Sequence, residues 1–440
     1  MRKRPSKTKI KYLNIIYQKY SPILKFKKWR RNKLIKKKNS SKKIVLSKFK
    51  RRFRITFGIA IIAMLAILAI YYHVSTYLKI KPIPFENQKT QSSFTFPYYN
   101  VVFLWFDEEN DKYFVDGVVV VSINASDETI KTIGINSDFI INYEPLKQSF
   151  TLKTLYNQIN TDDSLVKYIK ELESFTGLRL DRYVLITKSN AKDLITRNLL
   201  DVRTDVEVEV NEKIYSKETK LSLNDTLEYI FEVESGSDRN KIITNITTNF
   251  LNSKKGLWDL YFLFWDSPAL TSNFYTDMNR DEFFTFFDLL RGKRESKPLL
   301  LGDNVGIPAS TGLEDGIAKN SIAFEEALRE YLQSLSILTE QAQVEIYNAT
   351  KESGIAGNLS KQISSYGVNV VKVGNFSEER FYTQILLFSE DESVFPNTLS
   401  IISKAVKLAD FEFEIRDPEE SGNFTGDIVI ILGQDYVDSL

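Results

Sequence analysis

Residues 55–78 (ITFGIAIIAMLAILAIYYHVSTYL) carry no formally charged side chain, and this run of 24 constrains the chain more than any other feature. At helical rise it is long enough to cross a hydrocarbon layer of roughly 30 Å. Tyrosines near its end suit a water interface. A core helix is rarely free of charge over such a length. A cleaved signal peptide would have a shorter basic region, a shorter apolar stretch and a small-residue cleavage site. The expectation is a single uncleaved membrane anchor.

Charge is divided sharply across this segment. Residues 1–54 hold 23 of the 59 Lys and Arg and no Asp or Glu, which leaves 36 basic against 57 acidic residues beyond. The positive-inside bias then places the N-terminus in the cytoplasm and the acidic body outside. The basic tail, with Tyr12, Ile15, Ile16, Tyr17 and Trp29 interleaved, is expected to lie on anionic lipid. It shows no helix-turn-helix spacing, so sequence-specific nucleic-acid binding is not expected. Absence of cysteine excludes disulfide scaffolds, thiol nucleophiles and thiolate zinc sites. The one histidine, His73, lies within the apolar run, which leaves carboxylates, lysines, arginines and hydroxyls to carry any chemistry.

Beyond residue 79, prolines 82, 84 and 97 among polar residues read as a juxtamembrane stalk to residue 99. Residues 101–106 and 118–123 are apolar runs of strand length. Helical periodicity follows at 165–175, strand text at 183–186 and 206–210, and helical text at 222–251 with a turn at 234–238. Ser222 is a candidate cap. This alternation predicts an α/β sandwich over residues 100–300. Residues 301–319, with four glycines and a proline, read as a linker, and a helix is expected by residue 343. Its stripe of Phe324, Leu328, Tyr331, Leu332, Leu335 and Leu338 is packing rather than a ligand box. A small α/β unit fills 344–440. The Gly-rich turn at 353–357 lacks the lysine and spacing of a nucleotide loop.

Two stretches resemble known families. VEIYNATKESGIAGNLSKQISSYGVNVVKVGNFS and the closing DIVIILGQDY are similar to the LytR C-terminal domain. Upstream, VVFLWFD, VDGVVVVSINASDETIKTIGINSD, FTGLRLDRYVLITKSNAKDLI and LSLNDTLEYIFEVESGSDRNKIITNITTNFL resemble, in order and spacing, the LytR-CpsA-Psr catalytic domain. The expected fold class is thus a membrane-anchored α/β protein: an external α/β sandwich of LytR-CpsA-Psr type, followed by a small α/β C-terminal domain.

The resemblance implies transfer of a glycopolymer from a polyprenyl-pyrophosphate carrier to the cell wall. Such a leaving group needs cations around its phosphates. By resemblance the metal carboxylates are Asp107 and Asp116, and the metal is magnesium, which suits a carboxylate pair plus substrate oxygens. The catalytic acids fall on Asp138 and Asp238, and Arg239 and Lys241 on phosphate-binding positions. Where that family has further arginines, this chain has Asn136-Ser137, Phe231, Val233 and Thr244. Lysine is a point charge without the bidentate fork of arginine. Lys131, Lys153, Arg182 and Arg239 are cations that could be recruited. Three functions follow from this reading: an envelope protein that binds a polyprenyl-phosphate-linked or glycan ligand with weak or no catalysis, an active phosphotransferase, and a non-catalytic envelope scaffold.

Overall fold

A computed structural model of the chain describes residues 56–59, 61–68 and, between 98 and 439, all except 110–111, 125–127, 160–162, 197–201, 203, 205, 218–220, 254–274, 279–281, 283–285, 288, 291–292, 313, 390–393, 407–412 and 418–421. Residues 1–75 and 76–440 are two compact units. In the first, the described residues are helical, with Ile59, Ile62, Met64, Leu65 and Ile67 exposed along them. The remainder of the expected span, the basic tail and the stalk up to residue 97 lie outside the described residues. Among the described residues no helix is long and apolar enough to cross a membrane.

The second unit is mixed α/β. Its central sheet is built on β1 (Tyr98–Glu109), β2 (Lys112–Asn124) and β3 (Thr129–Ile135), paired antiparallel in sequence order. The side sheet begins with β4 (Phe139–Tyr143) and β5 (Gln148–Thr151), which run into α1 (Leu152–Gln158) and α2 (Ser164–Thr176). Next, β6 (Arg182–Thr187) lies parallel to β1. It leads through α3 (Lys188–Thr196) to the small hairpin β7 (Val208–Val210) and β8 (Lys213–Tyr215). Two helices follow, α4 (Leu223–Phe231) and α5 (Gly236–Ser253). The Ser222 hydroxyl accepts from Asp225 N at 3.3 Å and so caps α4, as its position before the helical text predicts.

Short strands β9 (Tyr275–Thr276), β10 (Arg294–Glu295) and β11 (Leu299–Leu301) complete the central sheet, β9 on β6 and the other two on β3. Side chains of β1 alternate between its faces, which explains its nearly unbroken apolar run. Val102, Leu104 and Phe106 join one core, while Val101, Phe103 and Trp105 join a second core against Ile243 and Phe286.

Residues 301–319 differ from expectation. They form β12 (Gly306–Ser310) and β13 (Asp315–Lys319), and β13 pairs parallel with β4 through Ile317 and Ala318. Two of the four glycines there, Gly306 and Gly316, serve close approach, and Gly312 takes a positive φ. A Cβ on Gly316 would stand 2.5 Å from Asp138 O. Helices α6 (Ser321–Leu332) and α7 (Leu335–Glu340) follow, and Phe324, Leu328 and Leu332 are wholly buried.

The C-terminal sheet comprises β14 (Gln343–Asn348), β15 (Asn369–Asn375), β16 (Gln384–Phe388), β17 (Phe413–Arg416) and β18 (Ile428–Leu432), in the order β15-β14-β18-β16-β17. Its helices are α8 (Ile355–Ser364), α9 (Pro396–Val406) and the short α10 (Gln434–Asp438). One apolar core runs without a break from Leu104 and Ile135 through Phe324 to Ile346, Leu359 and Ile402. Polar contacts reinforce it. Lys131 Nζ donates to the carbonyls of Leu332 and Gln333, both at 3.1 Å, and Tyr98 stacks on Tyr366 with ring centres 4.2 Å apart. Lys404 Nζ lies 2.9 Å from Asp181 Oδ2.

Candidate functional site

The register of β1 and β2 shifts at Trp105/Phe106: Phe106 faces Val115 and Trp105 faces Gly117, so Asp116 has no cross-strand partner. A bulge of this kind re-aims a side chain. Asp116 is buried, and Asp107 stands near the end of the neighbouring strand. Ser137 Oγ donates to Asp116 O at 3.2 Å, and Lys153 N donates to Ser137 O at 2.8 Å, which ties the 136–138 turn to β2 and to the start of α1. The Thr151 hydroxyl caps α1 by accepting from Thr154 N.

Three cations meet these acids. Lys153 Nζ lies 3.1 Å from Asp116 Oδ1, and Arg239 Nη1 lies 3.5 Å from the same oxygen. Lys153 is the nearer of the two partners of this buried oxygen. Arg239, in the first turn of α5, is held by its own backbone surroundings, with Nε donating to Val233 O at 2.9 Å. The register Phe106↔Thr187 sets Lys188 beside Asp107. Its Nζ lies 3.6 Å from Asp107 Oδ1 and 3.5 Å from Glu232 Oε1, and 5.7 Å from the centre of the Phe231 ring.

Burial pushes the carboxyl pKa of Asp116 up, opposed by the charges of Lys153 and Arg239 and reinforced by Asp107. Asp138 is raised in the same way, with Arg239 and Lys153 again opposing. The Asp138 carboxylate rests on Gly236, the first residue of α5, where an added Cβ would stand 1.7 Å from Oδ2. Gly236→Ala is therefore expected to lose about 1–3 kcal/mol of stability by overpacking. Chemical denaturation of the full chain measures this, and adding Asp138→Ala should recover part of the loss.

Of the residues that the sequence nominates, Asp107, Asp116, Asp138 and Arg239 come together. Asp238 is half-buried in the first turn of α5, its backbone N–H donating to Ser235 Oγ, and Lys241 is exposed further along that helix. Among the recruitable cations, Lys153 and Arg239 reach the acids. Lys131 instead serves the end of α6, and Arg182 pairs with Glu282. Lys188 is the residue that sequence reasoning missed. Its signal was the strand text at 183–186, which, laid parallel beside 101–106, brings residue 188 next to 107.

A resident magnesium ion does not fit this donor set. Both carboxylates assigned to it are ion-paired, Asp116 with Lys153 and Arg239 and Asp107 with Lys188. The acids keep counter-charges although positions 231 and 233 are apolar. Lys188 lies over Phe231, and Arg239 is anchored on the carbonyl of Val233.

A family model described as LytR cell envelope-related transcriptional attenuator, LytR_C, matches residues 341–436. The C-terminal unit is a LytR_C domain. The LytR_C domain opens on β14 and closes in α10, and it contains both sequence stretches that resembled that domain. No curated protein sequence matches the chain. Among solved structures, the chain is similar to TagT bound to LI-WTA, at 16% identity over 55% of this chain and 92% of that one, with a TM-score of 0.43. It is also similar to TagV of B. subtilis, at 16% identity over 52% and 94%, with a TM-score of 0.41. A third is the LytR-CPS2A-psr family protein YwtF (TagT) with bound octaprenyl pyrophosphate lipid, at 14% identity over 55% and 92%, with a TM-score of 0.40.

Proposed function

We propose that this protein is a single-pass envelope protein of LytR-CpsA-Psr type that binds a polyprenyl-phosphate-linked glycan and takes part in envelope glycopolymer assembly, with weak or no turnover. Residues 55–78 anchor it in the cell membrane. The basic tail lies against anionic lipid in the cytoplasm, and the α/β unit with its LytR_C domain faces outward. Charge segregation across the apolar run supports this topology.

One observation carries the ligand reading. Six ionisable side chains from five elements and one turn, Asp107, Asp116, Asp138, Lys153, Lys188 and Arg239, converge at one end of the central sheet. The two lysines are partly solvent-facing, with side chains 31% and 34% exposed, so their charge is available to an anion. Arg239 is buried behind them and fixed in place. A phosphate-bearing headgroup answers this arrangement, since ammonium and guanidinium donors to phosphate make the stronger, charge-assisted hydrogen bonds.

The test incubates full-length protein in detergent with a fluorescent polyprenyl pyrophosphate. Saturable binding, weakened at least tenfold by Arg239→Ala and without phosphate release above background, is the expected result. Absence of binding would overturn the reading. Phosphate release abolished by Asp116→Ala would establish the transferase instead.

A further inference from the structure

We infer that the candidate site takes a phosphate group directly on the ammonium groups of Lys153 and Lys188, with Arg239 as a fixed positive backing, and needs no divalent cation to do so. The inference rests on the phosphate-binding reading above and adds to it the means of binding.

Geometry and charge carry it. The two aspartates that would hold a metal each have a lysine head within ion-pair distance: Lys153 Nζ at 3.1 Å from Asp116 and Lys188 Nζ at 3.6 Å from Asp107. Arg239 adds a third positive charge at 3.5 Å from Asp116. Asp116 is thus already paired with Lys153 and Arg239, and Asp107 shares Lys188 with Glu232, so an incoming divalent ion meets carboxylates that are already occupied. To reach both carboxylates it must displace two ammonium groups and then stay beside them. A phosphate oxygen faces the opposite situation. It gains from the same ammonium groups, whose flexible stems can carry the charge from carboxylate to phosphate while their helices remain in place.

Lys188 has the most adaptable position of the three. It sits at the start of α3 with Asp107 on one side and Glu232 on the other, and the face of Phe231 lies beneath its head. An aromatic face holds an ammonium in place without neutralising it. Lys153 stands at the start of α1, where its backbone N–H is bonded to Ser137 O, so its stem leaves from a fixed point. The Phe231 ring thereby becomes a floor for the cation delivered by α3, and the backbone carbonyl of Val233 a fixed acceptor for the one delivered by α5.

Calorimetry on the full-length protein in detergent tests this with inorganic pyrophosphate as the probe, in EDTA and in MgCl2. Saturable binding in EDTA, not tightened by magnesium, is expected. Lys188→Ala should weaken it at least tenfold, while Lys188→Arg should keep most of it. Asp107→Asn separates the two chemistries: it should tighten binding, because Lys188 is released to the phosphate, whereas a metal-bridged site would be weakened by losing a ligand. Mn2+ added to the protein alone should keep its free electron-spin-resonance signal. Binding seen only with MgCl2, or loss of affinity in Asp107→Asn, would overturn the inference and leave the phosphate-binding reading standing. Pyrophosphate bound in neither buffer would overturn the inference, and if the polyprenyl pyrophosphate then still binds, the lipid reading survives alone.

Discussion

Asp181→Ala is expected to destabilise the 76–440 unit by about 3–5 kcal/mol, because it strands buried positive charge where the LytR_C domain meets the central sheet. The Asp181 side chain is wholly buried. Its Oδ2 accepts from Asn100 N at 2.8 Å and from Lys404 Nζ at 2.9 Å, while Arg179 Nε lies 3.7 Å from Oδ1. Arg179 in turn donates from Nη1 to Lys404 O at 2.6 Å, so both cations are tied to one another's surroundings as well as to the acid. Burial pushes the Lys404 ammonium pKa down, with the charge of Arg179 adding to it, and the charge of Asp181 is the main influence in the other direction. Once that charge is removed, Lys404 must lose its proton or break the packing of α9. Denaturation of the full chain in detergent, followed by near-ultraviolet circular dichroism, should show an earlier midpoint. The double variant Asp181→Ala/Lys404→Met should recover part of the loss, because it removes one of the two stranded cations and leaves Arg179. A loss below 1 kcal/mol would mean that water reaches this junction.

Glu345→Ala should have an effect of similar size inside the LytR_C domain, about 3–5 kcal/mol. Glu345 lies on β14 and is wholly buried. Its Oε1 accepts from Thr425 N at 2.8 Å, Thr425 Oγ1 at 2.5 Å and Gly426 N at 3.0 Å, and its Oε2 accepts from Tyr347 OH at 2.6 Å. Burial opposes its charge, but the hydrogen bonds from Thr425 and Tyr347 outweigh burial and hold the pKa below the ordinary glutamate value of 4.5. A carboxylate with a depressed folded-state pKa contributes stability above its unfolded value and loses it as pH falls through the folded one. The wild type should therefore weaken as the pH drops below about 4.5, and Glu345→Ala should lose that part of the acid dependence. Melting curves at a series of pH values measure both effects. An unchanged acid limb in the variant would move the source of acid sensitivity elsewhere.

Much of the fold was legible because its signals are local. The runs at 101–106 and 118–123 became β1 and β2, the helical text at 165–175 became α2, and the Ser222 hydroxyl caps α4. Residues 301–319 were misread because glycine looks the same in sequence whether it loosens a chain or admits a neighbour. Gly316 is required by Asp138 O, from a turn far away in sequence. The candidate site divided along the same line. Asp107, Asp116, Asp138 and Arg239 could be nominated from motif position. Lys188 emerges only from the parallel register of β1 and β6, and single-residue composition does not encode that register.

The unbroken apolar core from Leu104 through Phe324 to Ile402 has a consequence for how such chains can be rebuilt. A surgeon's cut at residue 340 would lay bare the oily undersides of both pieces. Exchanging the C-terminal module between relatives therefore demands that β12, β13 and α6 travel with whichever partner they cover, and a transplant that ignores this should yield insoluble material rather than a chimaera.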